Sequence, residues 1–350
     1  MKNSVGLKIV LLGLIGVALI ASPGMAQTDS KGMVTIDGHT VPDIGPLPTA
    51  IPVPPTNLNY KSKIHLGEQL FFDGRLSKNN QVSCAFCHTP GVGFADPRQT
   101  SIGVGGKRGG RQAPTVYNTA LNPVQFWDGR AGSLEEQAIG PIINPVEMAE
   151  THENVVNKLS KIKGYREQFQ KVFGTGVNMQ GIAEAIAAYE RTILSTNSAF
   201  DKYVQGDEKA MSSAAIRGMA LFKGKARCIL CHNGPNFTDN QFHNLGVPQV
   251  GPMKEDLGRY YVTLRKKDIG AFKTPTLRSI IETSPYMHDG VFQTLEEVID
   301  FLNKGGDTNA HLSPLMKPLN LTSGEKGDVL AFLQALTGEE IPFEFPELPE

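Results

Sequence analysis

The chain has 350 residues, with 34 Lys+Arg against 35 Asp+Glu, 40% hydrophobic residues, 37 Gly, 23 Pro and 4 Cys. That length fits two domains of about 100–200 residues each and excludes a small disulfide-stapled scaffold. A net charge of −1 argues against nucleic acid as the main partner, because phosphate binding needs an excess of Lys and Arg on one face. High Gly and Pro contents with only 7% aromatics predict a loop-rich protein whose apolar core is completed by something other than side chains.

Residues 1–26 read as an export signal. Lys2 and Lys8 supply a positive start, Ile9 to Ala21 is an apolar run, and Gly24-Met25-Ala26 offers small residues at a cleavage site. The run is shorter than the roughly 20 apolar residues that span a bilayer, and no second run of that length follows. The expectation is a periplasmic protein with no membrane span after signal removal; an uncleaved inner-membrane anchor is the alternative. Residues 27–58 form a Pro-rich arm, with Val41 to Pro55 read as extended chain on the surface. The remainder divides into domains over 59–200 and 201–350.

Four cysteines in an exported chain ordinarily suggest two disulfides. The spacing points elsewhere. Cys84-Ala85-Phe86-Cys87-His88 and Cys228-Ile229-Leu230-Cys231-His232 are two copies of C-x-x-C-H and use every cysteine. This is the attachment pattern of c-type haem, in which two thiols bond the porphyrin vinyls and the adjoining His is placed to ligate iron. Redox dithiols and zinc sites also use C-x-x-C, but two copies with an export signal favour two covalently bound haems. Their surroundings repeat as well. Leu66-Gly67-Glu68-Gln69-Leu70-Phe71 precedes the first and Arg217-Gly218-Met219-Ala220-Leu221-Phe222 the second, while Gly93-Phe94-Ala95-Asp96 and Asn236-Phe237-Thr238-Asp239 follow them. A short helix feeding a haem loop is used twice.

Elsewhere the clear periodicity is helical. Ile182, Ala185, Ile186, Tyr189, Ile193 and Leu194 share one face. Leu295, Val298, Ile299 and Leu302 predict a second helix. A third runs through Val329, Leu330, Phe332, Leu333 and Leu336, starts at the capping box Thr322-x-x-Glu325 and stops at Gly338. No alternation over 4–8 residues is convincing, so the fold class is mainly α: two cytochrome c-like domains with long loops and few short strands. Pro342, Pro346 and Pro349 make the acidic tail non-helical.

Several longer words accompany the pentapeptides: Leu70-Phe71-Phe72-Asp73, Arg75-Leu76-Ser77, Ala113-Pro114-Thr115-Val116-Tyr117-Asn118, Gln125-Phe126-Trp127-Asp128-Gly129-Arg130 and Pro285-Tyr286-Met287-His288-Asp289-Gly290. Together they make the chain resemble the bacterial diheme cytochrome c peroxidases, a family that includes the MauG-type enzymes, over about Leu66 to Gly338. The resemblance implies reduction of hydrogen peroxide at the first haem, with electrons entering at the second from a small soluble donor, a cytochrome c or a cupredoxin. Homodimers are frequent in the family. It also implies that Glu147 is the acid-base group, with Gln137 as its polar neighbour, and that Trp127, the chain's single tryptophan, carries oxidising equivalents between the haems. For Glu147 the bland reading is a solvent-exposed or helix-capping carboxylate, and for Trp127 a core-filling ring at the domain seam.

The departures from the family pattern carry expectations of their own. Val104 stands where many relatives have a second His ligand, which implies a first haem that is five-coordinate or water-bound and needs no reductive activation; His152 is the alternative ligand. Leu302 stands where the family places Met or, in MauG-type proteins, Tyr on the second haem. Met316, Met287 and His311 are the substitutes, with a five-coordinate iron as the other possibility. The family's calcium positions fall on Gln112, where Asn is usual, and on the carbonyls of Thr283 and Pro285; calcium accepts such oxygen ligands. Two other functions fit the same words: a MauG-type oxidase acting on side chains of a partner protein, and a pure electron carrier or haem sensor.

Overall fold

The computed structural model describes residues 27–350, so the export signal expected over 1–26 lies outside the described residues. Among these residues no helix is long and apolar enough to cross a membrane. The fold is mainly helical, with one three-stranded and one two-stranded sheet.

The chain starts with an antiparallel meander of β1 (Gln27–Thr28), β2 (Met33–Ile36) and β3 (His39–Pro42). Asp37 and Gly38 close the β2–β3 hairpin with φ of 48° and 80°, the left-handed pair that matches strand twist in a two-residue turn. The expected surface arm is therefore docked in part. Val34 pairs with Val41 across the ribbon, and Val34 and Ile44 enter the core of the C-terminal half. Burying that apolar face outweighs keeping the segment extended in water.

The N-terminal half contains α1 (Lys61–Phe72), the single turn α2 (Cys84–Cys87), α3 (Leu134–Ile143), α4 (His152–Ser160), α5 (Lys163–Phe173) and α6 (Met179–Glu190). The C-terminal half contains α7 (Ala199–Val204), α8 (Ser213–Lys223), β4 (Phe242–His243), α9 (Tyr260–Thr263), β5 (Phe272–Lys273), α10 (Leu295–Asn303) and α11 (Ser323–Gln334). Each half has its own apolar core, one between Leu66 and Ile193, the other between Phe200 and Leu336.

The repeat seen in the sequence is structural. Helix α1 packs on α6 and α8 packs on α11, and each crossing turns on a glycine. A Cβ at Gly67 would fall 1.8 Å from the Ala185 carbonyl oxygen, and one at Gly218 would fall 1.9 Å from that of Asp328. Only a residue without a side chain lets the backbones approach this closely. The predicted capping box at Thr322 and Glu325 forms, and Thr294 with Glu297 makes another at α10. Helix α11 nevertheless ends at Gln334, short of Gly338. That glycine lies against the Ser195 hydroxyl and the Thr196 backbone, where a Cβ would come within 2.6 Å, so it serves a chain crossing and not a helix cap. Similarly, α6 stops at Glu190, and Ile193 is buried from the turn beyond it.

Candidate functional site

All four cysteines are free thiols, and no disulfide competes for them. In the C-terminal half, Cys228, Cys231 and His232 line a mainly apolar cavity of about 550 Å³. His232 Nδ1 lies 2.9 Å from the Phe237 carbonyl oxygen, which orients the ring and leaves Nε2 for another partner. In the N-terminal half, His88 Nδ1 is buried with no hydrogen-bond partner. Burial pushes both imidazole pKa values down, opposed at His232 by its hydrogen bond to the Phe237 carbonyl. The neutral form so favoured is the one that ligates a metal. In both halves paired thiols stand beside an imidazole that burial keeps neutral, and in the C-terminal half they line a cavity of this size, a donor set that fits a tethered haem.

The two halves also share the turn that follows the haem loops. Gln125 bridges to Ala131 and Tyr286 to Phe292. Phe126 and Met287 take φ of 68° and 73°, and Gly129 and Gly290 take 67° and 65°. Trp127 and His288 are thus equivalent positions, and both line the second cavity. Trp127 Nε1 donates to the Gln112 carbonyl at 2.9 Å, the Gln112 amide donates to the His288 carbonyl at 2.8 Å, and the Lys273 amide donates to the Trp127 carbonyl at 2.8 Å. The indole is consequently fixed at the seam between the halves. His288 stacks on Phe272 with ring centroids 3.6 Å apart, and burial pushes its pKa down to about 4.

Glu147 sits where the chain folds back over the end of α3, with Glu150 N bonded to the Ile142 carbonyl at 2.9 Å. Burial raises its carboxyl pKa against the opposing pull of Arg130 and a hydrogen bond from Asn144; Asn144 Nδ2 donates to Oε1 at 2.7 Å. Its charge also acts on the Cys87 thiol, which places it on the first C-x-x-C-H side. Val104 N donates to the Glu147 carbonyl at 2.8 Å. Gly103 permits that contact, since a Cβ there would lie 2.3 Å from the Val146 carbonyl oxygen. Gln137 is half-buried on α3. His152 has Nε2 engaged at 3.1 Å by the Ile139 carbonyl.

The remaining expected positions converge on the second cavity. Leu302, Met287, His311 and Met316 all line it, as do Gln112, Thr283 and Pro285. Gln112 is buried and its Nε2 donates to the Asp96 carbonyl at 3.3 Å. The sequence reading passed over three groups that the structure brings into play. Arg130, which ends a word already quoted, and Asn144, three residues before Glu147, act on that carboxyl. Arg111 bridges Asp128 at 2.7 Å and Asp256 at 2.6 Å, tying the two halves across the seam. The trio Cys231, Asp239 and His243 also clusters tightly, but Cys231 belongs to the haem-attachment word.

Fold and site together define a two-haem redox protein built from a duplicated cytochrome-like unit. The family described as di-haem cytochrome c peroxidase matches residues 61–209. The cytochrome-c peroxidase IdrP1 of Pseudomonas sp. (strain SCT) is 38% identical over 95% of this chain and 94% of its own length. The methylamine utilization protein MauG of Methylorubrum extorquens is 40% identical over 86% of each chain. A crystal structure of a MauG-like protein associated with microbial copper homeostasis superposes with a TM-score of 0.78 at 33% identity, covering 84% of this chain and 95% of that one. The chain belongs to the di-haem cytochrome c peroxidase family and is an oxidoreductase with two haems.

Proposed function

We propose that the protein reduces hydrogen peroxide to water in the periplasm, with electrons from a small donor protein, a cytochrome c or a cupredoxin. Glu147 carries this reading: a half-buried carboxyl whose pKa burial raises, hydrogen-bonded by Asn144, within the field of Arg130 and joined through its backbone to Val104. Cys84, Cys87 and His88 would hold one haem and Cys228, Cys231 and His232 the other, and haem bound there would supply the redox chemistry of iron toward peroxide.

Around that chemistry the side chains divide the work. Glu147 takes the proton from the inner peroxide oxygen and returns it to the outer one, so that water leaves. Gln137 orients the substrate from α3. Val104 offers no ligating atom, so the first site stays open to peroxide without prior reduction, and His152 is engaged by the Ile139 carbonyl. Trp127, fixed by Gln112 at the seam and lining the second cavity, passes electrons between the sites. Met316, Met287 and His311, which line the second cavity, would offer a further ligand to a haem held at His232. Gln112 with the carbonyls of Thr283 and Pro285 is the oxygen set for calcium.

The test is a spectrum of the oxidised protein with and without peroxide, read beside haem content and donor oxidation. Expected are two c-type haems per chain, an open first site that responds to peroxide, and donor-dependent turnover. One haem per chain, or a first site blocked by a protein ligand in both redox states, overturns the reading. A peroxide-treated state that persists without donor and oxidises a partner's side chains assigns the MauG-type activity instead.

A further inference from the structure

Residues 256–272 close one wall of the second cavity through Leu257, Ile269 and Gly270. The outer side of that wall is chemically distinct. Tyr261, Val262 and Leu264 are 51%, 41% and 74% exposed. Arg265, Lys266 and Lys267 beside them are exposed and take part in no ion pair among the described residues. Neighbouring acids do little to neutralise them. Asp256 is buried against Arg111 at 2.6 Å, Asp268 accepts from the Thr263 hydroxyl at 2.6 Å, and Glu255 is the exposed acid of residues 251–270.

The wall is also stiffly held. Arg259 Nη1 donates to the Asp128 and Gly129 carbonyls at 2.7 and 2.9 Å. The Arg259 amide bonds the Ala271 carbonyl at 2.8 Å, and the Gly270 amide that of Leu257 at 2.9 Å. In a chain of net charge −1, this is a local excess of cations around an apolar centre, mounted on a fixed platform.

We propose that this face is the landing point for an acidic one-electron carrier, a small redox protein with exposed carboxylates around its redox centre. The inference rests on the peroxidase reading and names the chemistry of the donor. An apolar centre with a charged rim suits a small, transient interface. Opposite charge on the carrier steers the encounter and raises the association rate by about 10–10³-fold at low salt. A carrier seated here rests on the segment whose Leu257, Ile269 and Gly270 line the second cavity.

The test uses the full matured holoprotein and a combined Arg265→Glu, Lys266→Glu, Lys267→Glu variant, with Leu264→Ser made separately. The probes are an acidic plant plastocyanin, a basic mitochondrial cytochrome c and the neutral donor ferrocenemethanol. Wild type is expected to bind plastocyanin at low ionic strength, more tightly than the basic cytochrome, and to weaken with added salt. The triple variant should lose about tenfold or more in both binding and kcat/KM for plastocyanin, Leu264→Ser should weaken binding without changing its salt dependence, and both should keep wild-type turnover of ferrocenemethanol. Equal plastocyanin binding by wild type and triple variant overturns the proposal, as does a preference of wild type for the basic cytochrome. A changed oligomeric state with plastocyanin binding intact also overturns it, making the face a contact between copies of this chain. Loss of ferrocenemethanol turnover in wild type fails the peroxidase reading, and the binding measurement then decides the docking face separately.

Discussion

Glu147 is poised between two opposing effects. Burial holds its carboxyl above the ordinary Glu value of about 4.3, while Arg130 and Asn144 pull it down. The carboxylate must be ionised to accept the peroxide proton, so turnover should fall as the pH drops through that raised value. The acid limb of the kcat/KM profile checks this, and Arg130→Ala should move the limb to higher pH by removing the opposing cation. Glu147→Gln should lower turnover by about 10²–10⁴-fold with haem content unchanged. Trp127→Phe keeps a ring but loses the 2.9 Å bond to the Gln112 carbonyl. The expected result is slower electron exchange between the haems in stopped-flow traces, with about 1 kcal/mol lost in stability.

Among the secondary elements, those with a local cause were legible. The Thr322–Glu325 box announces α11 because both partners lie within one turn. The β2–β3 hairpin had its signal too, Asp37-Gly38 between Val34 and Val41, but the strands are so short that helical periodicity elsewhere obscured it. Arg278 was not legible at all. It is fully buried, bidentate to Asp201 at 2.9 and 3.0 Å, and it donates to the carbonyls of Pro235 at 2.8 Å and Gly45 at 3.1 Å. It thereby ties α7, the second haem loop and the N-terminal arm to one guanidinium. Asp201→Asn leaves that cation buried without its counter-charge, which typically costs about 3–5 kcal/mol. A denaturant melt should show the loss, whereas replacing both partners by apolar residues should recover part of it.

Across the whole molecule, the C-terminal tail leaves its own half and lies on the other. Gln69 Nε2 donates to the Glu347 carbonyl at 2.8 Å, Arg75 Nη1 to that of Pro349 at 3.1 Å, and Gly164 N to that of Glu350 at 3.0 Å. Phe345 packs edge-on against Phe72 at 5.6 Å. Ending the chain at Pro342 should destabilise the half that carries His88 by about 0.5–1.5 kcal/mol for each lost bond, seen as a lower melting point. The absorbance of the second haem should be unaffected.

The amino-acid sequence by itself determined the chemistry that can occur: two C-x-x-C-H words, their repeated flanks, the helices with their caps, and the substitutions at Val104 and Leu302. Each of these is written in neighbouring residues, where spacing alone sets geometry. Only the tertiary structure decided what stands beside Glu147, how Trp127 is fixed between Gln112 and Lys273, and that Gly67, Gly218 and Gly338 mark chain crossings. Those depend on segments far apart in the chain meeting in a packed interior, and a linear pattern does not record which backbone will approach another closely enough to exclude a Cβ.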